Sequence, residues 1–277
     1  MHSIKNLGYR TDTIFHLRHG FLEEHADCFA VRTPANPTFW FGNFILFKRA
    51  PIAGDFDKWM DIHREVFCGQ LNHATFGWDE PMSGFIDEFV AAGFRTSNGI
   101  SLVMSSYDGG AAINPELCVR QLREPSEWEA MVEQQIRIDR EDLGHPEDGG
   151  LFRRTQLNLL RTMAEEGHGD WWGAFHADEL VGGMGLYFDA ARTIGRFQCV
   201  TTRASHRRQR VCTTLLHCAV RHAFETVQVK QLVICTGADN NNPALPTYRH
   251  FGFRDAMRSY AMTRRDLARQ ARRTGDG

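Results

Sequence analysis

The apolar residues after Leu117 change their period along the chain, and the order of these changes restricts the folds that the chain can adopt. Apolar residues at every second position, or in short runs, are typical of strands, whereas a spacing of three to four is typical of helices. This pattern predicts the order β, α, α, β, β, β, α, β, α, β up to Arg265. The predicted strands are 117–122, 170–179, 180–190, 193–202, 230–237 and 258–265, and the predicted helices are 124–138, 151–166, 210–225 and 241–253.

A segment rich in Ser, Gly, Asn and Pro, residues 105–117, interrupts the periodic pattern and divides the chain. We place the boundary near Gly110, which predicts one domain over 1–110 and a second domain over 111–277. In the first domain the predicted strands are 12–20, 27–34 and 38–47, the predicted amphipathic helix is 55–67, and a helix running into a strand is predicted over 86–104.

Two short segments, FVAAGFR at 89–95 and YRHFGFR at 248–254, share an aromatic residue followed by Gly-Phe-Arg at the same spacing. Each segment leads into a predicted strand. The repeat predicts that residues 1–110 are a reduced copy of the second domain, in which Phe89 takes the place of Tyr248.

The composition limits the partners and the cellular location that we expect. The formal net charge is -2 and the isoelectric point is near 6.7, whereas proteins that bind nucleic acids or membrane surfaces usually carry a basic excess. No apolar run approaches the ~20 residues that a membrane span needs, and the N-terminus lacks an apolar signal core. The seven cysteines are odd in number and never spaced as CxxC, which suits a reducing cytoplasm. We therefore expect a cytoplasmic protein with no nucleic-acid or membrane partner and no metal site.

Three arginines, Arg207, Arg208 and Arg210, are crowded at the predicted start of the helix over 210–225. The first N–H groups of a helix have no partner within the helix, and together with the helix dipole they attract anions. The arginines would add charge-assisted hydrogen bonds to such an anion. The alternative is that these arginines form a solvated helix start with no ligand.

The C-terminal part resembles the GNAT N-acetyltransferase superfamily, and the resemblance covers residues 117 to 265. One match is the strand FQCVTT, which leads into a loop, 207–212, in the place of the family pattern [RQ]-x-x-G-x-[GA]; another is the strand order itself. A third match is the motif N-x-x-A-x-x-x-Y-x-x-x-G-F, whose fixed positions are Asn241, Ala244, Tyr248, Gly252 and Phe253. The resemblance implies an α/β fold with a mixed, mostly antiparallel sheet flanked by helices.

The resemblance also implies an acetyl-CoA site in a cleft where two neighbouring strands splay apart. The residues expected to bind the cofactor are Cys199, Val200, Thr201, Arg207, Arg208, Gln209, Arg210, Val211, Cys212, Thr213 and Asn241. The loop departs from the family pattern, since Arg210 stands where the first glycine is expected and Cys212 stands at the second small position. A side chain at position 210 must turn clear of the anion or take part in binding it.

Tyr248 is the expected catalytic residue, because the tyrosine of this family can protonate the leaving CoA thiolate, and a neutral phenol fits that role. The alternative is that Tyr248 only packs against Phe251 or Phe253. No general base is assigned. The family often uses a glutamate where this chain has Gln198, and the other candidates are Asp170, Asp189, His176 and His206.

The predicted function is therefore transfer of an acyl group from acetyl-CoA to a primary amine of a small molecule or peptide. The alternative is a CoA-binding or interaction protein with a GNAT fold and no catalysis. The acidic loop at 139–150 favours a cationic acceptor, although acidic loops are usually solvated. Assembly as a homodimer is left open.

Overall fold

The computed structural model describes residues 4–143, 150–239 and 241–265. Within these ranges the helices are α1 (Leu7–His19), α2 (Asp55–Phe67), α3 (Asp87–Ala91), α4 (Pro125–Leu143), α5 (Leu151–Glu165), α6 (Val211–Arg221) and α7 (Ala244–Phe251). The strands are β1 (Phe21–Glu24), β2 (Cys28–Arg32), β3 (Phe44–Phe47), β4 (His73–Trp78), β5 (Arg95–Met104), β6 (Cys118–Gln121), β7 (Gly169–His176), β8 (Glu179–Phe188), β9 (Ile194–Thr202), β10 (Gln231–Gly237) and β11 (Arg254–Arg265).

The chain forms two compact units, and the first of them is discontinuous in sequence. Unit 1 contains the described residues within Met1–Ser101, Thr236–Asn242 and Ala256–Gly277, and unit 2 contains those within Leu102–Cys235 and Pro243–Asp255. The division thus differs from a single cut near Gly110. The physical reason is that β11 pairs antiparallel with β4, so the last described strand belongs to unit 1.

Unit 1 has the strand order β1-β2-β3-β4-β11-β5, in which β3 and β4 are parallel and the other registered pairs are antiparallel. Helix α2 connects the two parallel strands. It buries Trp59 against the sheet, where the indole stacks on Phe47 with ring centroids 3.6 Å apart. Phe76 and Phe89 complete an aromatic core around this stack.

Unit 2 has the strand order β10-β9-β8-β7-β6, and only the β9–β10 pair is parallel among its registered pairs. A two-residue turn with positive φ at Ala177 and Asp178 joins β7 to β8, as predicted. Neighbouring residues of β8 point to opposite faces of the sheet. A side chain at Gly182 would meet Val211 of α6, and one at Gly183 would meet Met131 of α4, so these helices cover opposite faces.

The mixed, mostly antiparallel sheet flanked by helices confirms the predicted fold class, and the element order after residue 117 is also confirmed. The close strand and helix packing at the glycines of β8 explains why glycine is used there. Helix α6 is followed by a π-helical turn over His222–Val227. None of the helices in the described part of the chain has the length and apolar character needed to cross a membrane.

The strand predicted over 12–20 is wrong, because this segment belongs to helix α1. Its Thr, Ile and Phe residues suggested a strand, but the decisive features lie earlier in the chain. The Asn6 side chain caps the helix by accepting a hydrogen bond from the Gly8 N–H at 3.1 Å. Leu7, Thr11 and Phe15 are buried at a spacing of four, which is the period of a helix.

Two strands of unit 1 were not predicted, and one was predicted too long. The predicted strand over 38–47 is reduced to β3, because a 3-10 turn occupies Trp40–Gly42. Strand β1 lies at the edge of the unit, and β4 is buried along its whole length without an alternating pattern. A strand buried on both faces lacks the period of two on which the prediction depends.

Candidate functional site

Strands β9 and β10 are paired only over their first residues. The residues that lie opposite each other in the two strands run from Ile194 and Gln231 to Arg196 and Val233. Within the described residues, β9 then continues to Thr202, and no residue of this part is paired with β10. The edge of β9 that faced β10 is therefore open over residues 197–202, and its backbone groups can pair with a ligand.

A bulge interrupts β9 on the other side, where it pairs with β8. Gly185 lies opposite Gln198, and Gly183 lies opposite Thr201, so β9 has one residue more than β8 over this stretch. Cys199 has a φ of 48°, which is unusual for a residue with a side chain. The bulge turns the backbone of Cys199, Val200 and Thr201 away from regular strand geometry.

A 3-10 turn over Ala204–His206 and a short loop separate the bulge from helix α6, and two residues of this loop have backbone conformations that favour glycine. Arg210, the N-cap residue, has φ 61° and ψ 20°, and Arg208 has φ 67°. The Arg210 carbonyl accepts hydrogen bonds from the Thr214 N–H at 2.9 Å and the Thr214 hydroxyl at 2.8 Å. Arg210 thus adopts the left-handed conformation for which glycine is the usual choice.

The start of α6 carries positive charge in two forms. The unpaired N–H groups of the first turn and the helix dipole supply partial charge. Arg207, Arg208 and Arg210 are exposed and supply full charges. Over the described ranges, Arg208 and Arg210 form no ion pair, whereas Arg203 pairs with Glu179. The chain therefore presents a cationic helix start at α6.

The segment before β6 lies against this helix start, although its composition suggested only a linker. The Asn114 N–H donates to the Thr214 hydroxyl at 2.9 Å, and the Asn114 amide donates to the Gln209 carbonyl at 3.1 Å. One turn further along α6, the Tyr107 hydroxyl is 2.9 Å from His217 Nδ1. Residues 107–114 thus hold the loop before α6 in place.

Tyr248 lies in α7 and is 4% exposed. Burial raises the pKa of the Tyr248 hydroxyl, nearby Cys212 raises it further, and Arg196 opposes the shift. The hydroxyl therefore stays protonated at physiological pH. Pro246 does not break α7, because it lies in the first turn, where the missing N–H would have no helical partner.

Helices α4 and α5 bring polar side chains to the bulge of β9. The Gln135 amide donates to the Cys199 carbonyl at 3.3 Å and to Thr201 Oγ1 at 2.9 Å. Arg153 binds both carboxylate oxygens of Asp139, at 2.6 and 2.9 Å, and its Nη1 lies 3.9 Å from the Cys199 sulfur. Burial raises the pKa of the Cys199 thiol more than Arg153 lowers it, so the thiol is protonated and is not an activated nucleophile.

Residues 132–253 match the family model described as the acetyltransferase (GNAT) family. This part of the chain, residues 132–253, belongs to the GNAT superfamily. No curated protein matches the sequence. The open edge of β9 and the arginine-rich start of α6 both lie inside the GNAT match.

Solved structures with low sequence identity share the fold. A conserved protein of unknown function from Staphylococcus epidermidis ATCC 12228 has a TM-score of 0.74 and 9% identity, covering 92% of this chain and 98% of that chain. A GCN5-related N-acetyltransferase from Kribbella flavida has a TM-score of 0.60 and 13% identity, covering 93% and 95%. A tandem GNAT protein from the clavulanic acid biosynthesis pathway has a TM-score of 0.53 and 13% identity, covering 77% and 70%.

The structure places most of the predicted site residues on two neighbouring stretches of unit 2. Cys199, Val200 and Thr201 form the bulge, and 207–213 form the loop and first turn of α6. Asn241 falls in the sequence range of unit 1. Cys212 and Arg196 both act on the pKa of Tyr248, which places its side chain within electrostatic range of the start of α6 and of the end of the β9–β10 pairing.

The candidate bases are held in different ways in the described structure. Asp189 closes the β8–β9 turn by accepting hydrogen bonds from the N–H groups of Thr193 and Ile194. Asp170 lies 3.2 Å from Arg123 and 3.5 Å from His222. The rings of His176 and His206 are 5.7 Å apart. None of these contacts singles out a base.

The acidic loop is only partly described. Asp139 is paired with Arg153 and is not a free acid, and residues 144–149 lie outside the described residues. Two further residues at the site, Gln135 and Asn114, were not predicted. A polar residue four positions after Met131, on the buried stripe of an amphipathic helix, was the available indication for Gln135. Asn114 offered none, because its role depends on where the segment before β6 folds.

Proposed function

We propose that this protein is an acetyl-CoA-dependent N-acetyltransferase that moves an acetyl group to a primary amine of a small molecule or peptide. The main support for the proposal is that three structural features follow one another along unit 2. An open strand edge is followed by a bulge, and the bulge is followed by an arginine-rich helix start with a left-handed N-cap. A strand edge suits the amide groups of an extended ligand, and a cationic helix start suits its phosphates.

The residues present fit acetyl-CoA. The N-terminal N–H groups of α6 and the side chains of Arg207 and Arg208 would hold the pyrophosphate, with the other residues of 207–213 supplying backbone. The backbone of 199–201 would receive the acyl end of the ligand. Asn241 is assigned to cofactor binding on its motif position alone. When bound, acetyl-CoA supplies an acyl group activated as a thioester.

Tyr248 is proposed as the proton donor to the CoA sulfur. Its hydroxyl is neutral, since burial raises its pKa, and a neutral phenol near a sulfur that gains negative charge can donate a proton to it. Direct transfer to the amine needs no covalent enzyme group, which agrees with the protonated state of Cys199.

A second function rests on two substitutions in the site. Arg210 replaces the glycine expected in the loop, and Gln198 cannot accept a proton at neutral pH. Both changes favour the alternative, a CoA-binding or interaction protein without catalysis. Measuring thiol release from acetyl-CoA against a panel of amines, with acetyl-CoA binding measured in parallel, separates the two functions. The enzyme gives turnover and binding, whereas the alternative gives binding alone; absence of binding contradicts both.

We also propose that, by sequence repeat and not by compact unit, residues 1–110 are a degenerate GNAT-like domain without an anion loop, with the GNAT acetyltransferase domain over 111–277. The support is a shared order: β3, α2, β4, α3 and β5 follow one another as β9, α6, β10, α7 and β11 do, and both strand pairs joined by a helix are parallel. Location in the cytoplasm and assembly as a homodimer stay predictions.

A further inference from the structure

We propose that Gln135 is a positioning residue that holds the bulge of β9 in the conformation that receives the acyl group. This inference rests on the proposed function, because it concerns the acyl end of the same ligand. Gln135 is 1% exposed and lies on α4, outside the strand and loop that form the candidate site. Its role is to fix the backbone that a ligand would touch.

The hydrogen bonds of Gln135 span the bulge. Its amide nitrogen donates to the Cys199 carbonyl at 3.3 Å and to Thr201 Oγ1 at 2.9 Å, on either side of Val200. In the described structure, Cys199 and Val200 have no registered partner in β8 or β10. A side chain from α4 therefore replaces part of the strand pairing that the bulge gives up.

The bulge needs such support because its backbone is strained. A residue with a side chain at positive φ is held there only when the surrounding structure enforces it, and Cys199 has a φ of 48°. The Cys199 sulfur lies 3.9 Å from both Arg153 Nη1 and Gln156 Oε1, which fixes the side chain. Gln135 fixes the carbonyl, and thereby the orientation of the next peptide group.

The preceding residue provides a matched control. Gln134 is 2% exposed on the same helix, but within the described residues neither of its side-chain polar atoms has a hydrogen-bond partner. The two neighbours thus share residue type, helix and burial, and they differ in the contact to the bulge. If substitution at either position has the same effect on ligand binding, the cause is the burial of a polar side chain. An effect on ligand binding that appears only on substitution of Gln135 is due to its contact with the bulge.

The experiment replaces each glutamine by methionine, which is unbranched, similar in length and a good helix former, but cannot donate a hydrogen bond. Isothermal titration calorimetry of the full chain measures the affinities for acetyl-CoA and for CoA. We expect Gln135→Met to weaken acetyl-CoA binding by about fivefold, the effect of one hydrogen bond, and CoA binding by less than about twofold. Where an amine acceptor gives turnover, kcat should fall by about tenfold with little change in the KM for the amine. Gln134→Met should leave all of these values within about twofold.

Equal weakening of acetyl-CoA and CoA by Gln135→Met, no effect, or the same effect from Gln134→Met would overturn the assignment. If Gln135→Met does not fold, judged by circular dichroism, Thr201→Val tests the same contact from the other side and should weaken acetyl-CoA binding more than CoA binding. If the wild-type protein binds acetyl-CoA but transfers nothing, the proposed function fails and the affinities alone decide the role of Gln135. If it binds neither ligand, both proposals fail.

Discussion

The molecule contains two helix starts of the same design in different surroundings. In unit 1, α2 joins the parallel strands β3 and β4, and its N-cap Gly54 has a φ of 83°. In unit 2, α6 joins the parallel strands β9 and β10, and its N-cap Arg210 has a φ of 61°. Both helices therefore begin on a left-handed residue at the end of the loop that follows a strand, but their surroundings differ.

The start of α2 is occupied by carboxylates of the chain itself. The Gly54 N–H donates to both carboxylate oxygens of Glu88, at 3.0 and 3.1 Å, and the Asp55 carboxylate accepts from the Ile52 N–H at 2.9 Å. Arg49 is not available to a ligand, because it binds Asp55 through two hydrogen bonds at 2.5 and 2.8 Å.

The strands of unit 1 also remain together where those of unit 2 separate. The β3–β4 pairing extends to the last residue of each strand, Phe47 opposite Trp78, and the Asp79 N–H then donates to the Phe47 carbonyl at 2.8 Å. No edge of β3 is left open on the β4 side within the described residues. We infer that this topology alone does not create an anion site, and that an open strand edge and a helix start not already bound by the chain's own carboxylates are also needed.

The largest expected effect concerns the hydroxyl that distinguishes the two halves. The proposed repeat pairs Phe89 of unit 1 with Tyr248 of unit 2, and Phe89 is fully buried among Trp59, Phe76 and Phe94. Tyr248→Phe should lower kcat by about 100-fold if the hydroxyl protonates the thiolate, with little change in CoA affinity or in folding. Steady-state kinetics with an identified amine tests this, and an unchanged kcat would reduce Tyr248 to a packing residue.

The next effect concerns the arginines at the start of α6. Arg207→Ala or Arg208→Ala should weaken CoA binding by roughly ten- to a hundredfold, the effect of one charged hydrogen bond. The loss should be greater at low salt than at high salt, because exposed charges are screened. Arg221→Ala is the control, since Arg221 lies at the other end of α6 and pairs with Glu225 at 2.9 Å. Calorimetric titrations at two salt concentrations measure both changes; equal affinities for all variants and wild type would contradict ligand binding by this cluster.

The internal carboxylate of unit 1 should contribute to stability in a pH-dependent way. Arg49 holds the pKa of Asp55 below its usual range, so the contribution is present above the unfolded pKa near 4 and is lost as the pH falls through the folded value. Asp55→Asn should lower the free energy of unfolding by about 1–3 kcal/mol at pH 7, and by less at pH 3. Urea unfolding at both pH values measures the difference.

Asp61→Asn is the control for that measurement. Asp61 lies on the same helix and pairs with Arg64, but its side chain is 61% exposed. An exposed ion pair of this kind contributes little to the free energy of unfolding. The stabilising role of the buried carboxylate would be contradicted if the two variants lost the same free energy of unfolding at pH 7. It would also be contradicted if the free energy lost by Asp55→Asn did not depend on pH.

The smallest effects should have opposite signs at the two N-caps. Gly54→Ala should destabilise unit 1 by about 1 kcal/mol, because positive φ strains a residue with a side chain, although the space around Gly54 is open. Arg210→Gly relieves the same strain and should raise the melting temperature by up to a few degrees, with CoA binding unchanged or tighter. Thermal unfolding and titration test both variants; loss of CoA binding in Arg210→Gly would instead make Arg210 a phosphate ligand.

The order of elements in unit 2 could be predicted because each element there carries one clear period and ends at a turn. Helix α1 was predicted as a strand because its cap, Asn6, lies before the segment that suggested β structure, and β4 was missed because it is buried on both faces. The bulge at Cys199 and its contact with Gln135 could not be predicted, since they depend on how α4 faces the sheet. The sequence identified the arginines at the start of α6, but not the left-handed conformation of Arg210.

Hydrogen–deuterium exchange of the full chain with and without acetyl-CoA, measured by mass spectrometry, tests the proposed site in unit 2 most directly. We predict slower exchange in peptides that cover the bulge and the start of α6, residues 199–213, because a bound ligand would engage backbone N–H groups there. Peptides over 48–58, at the start of α2, should exchange at the same rate in both states, since carboxylates already occupy that helix start. Protection at α2, or protection at neither helix start, would contradict the claim that unit 2 alone has kept the anion site.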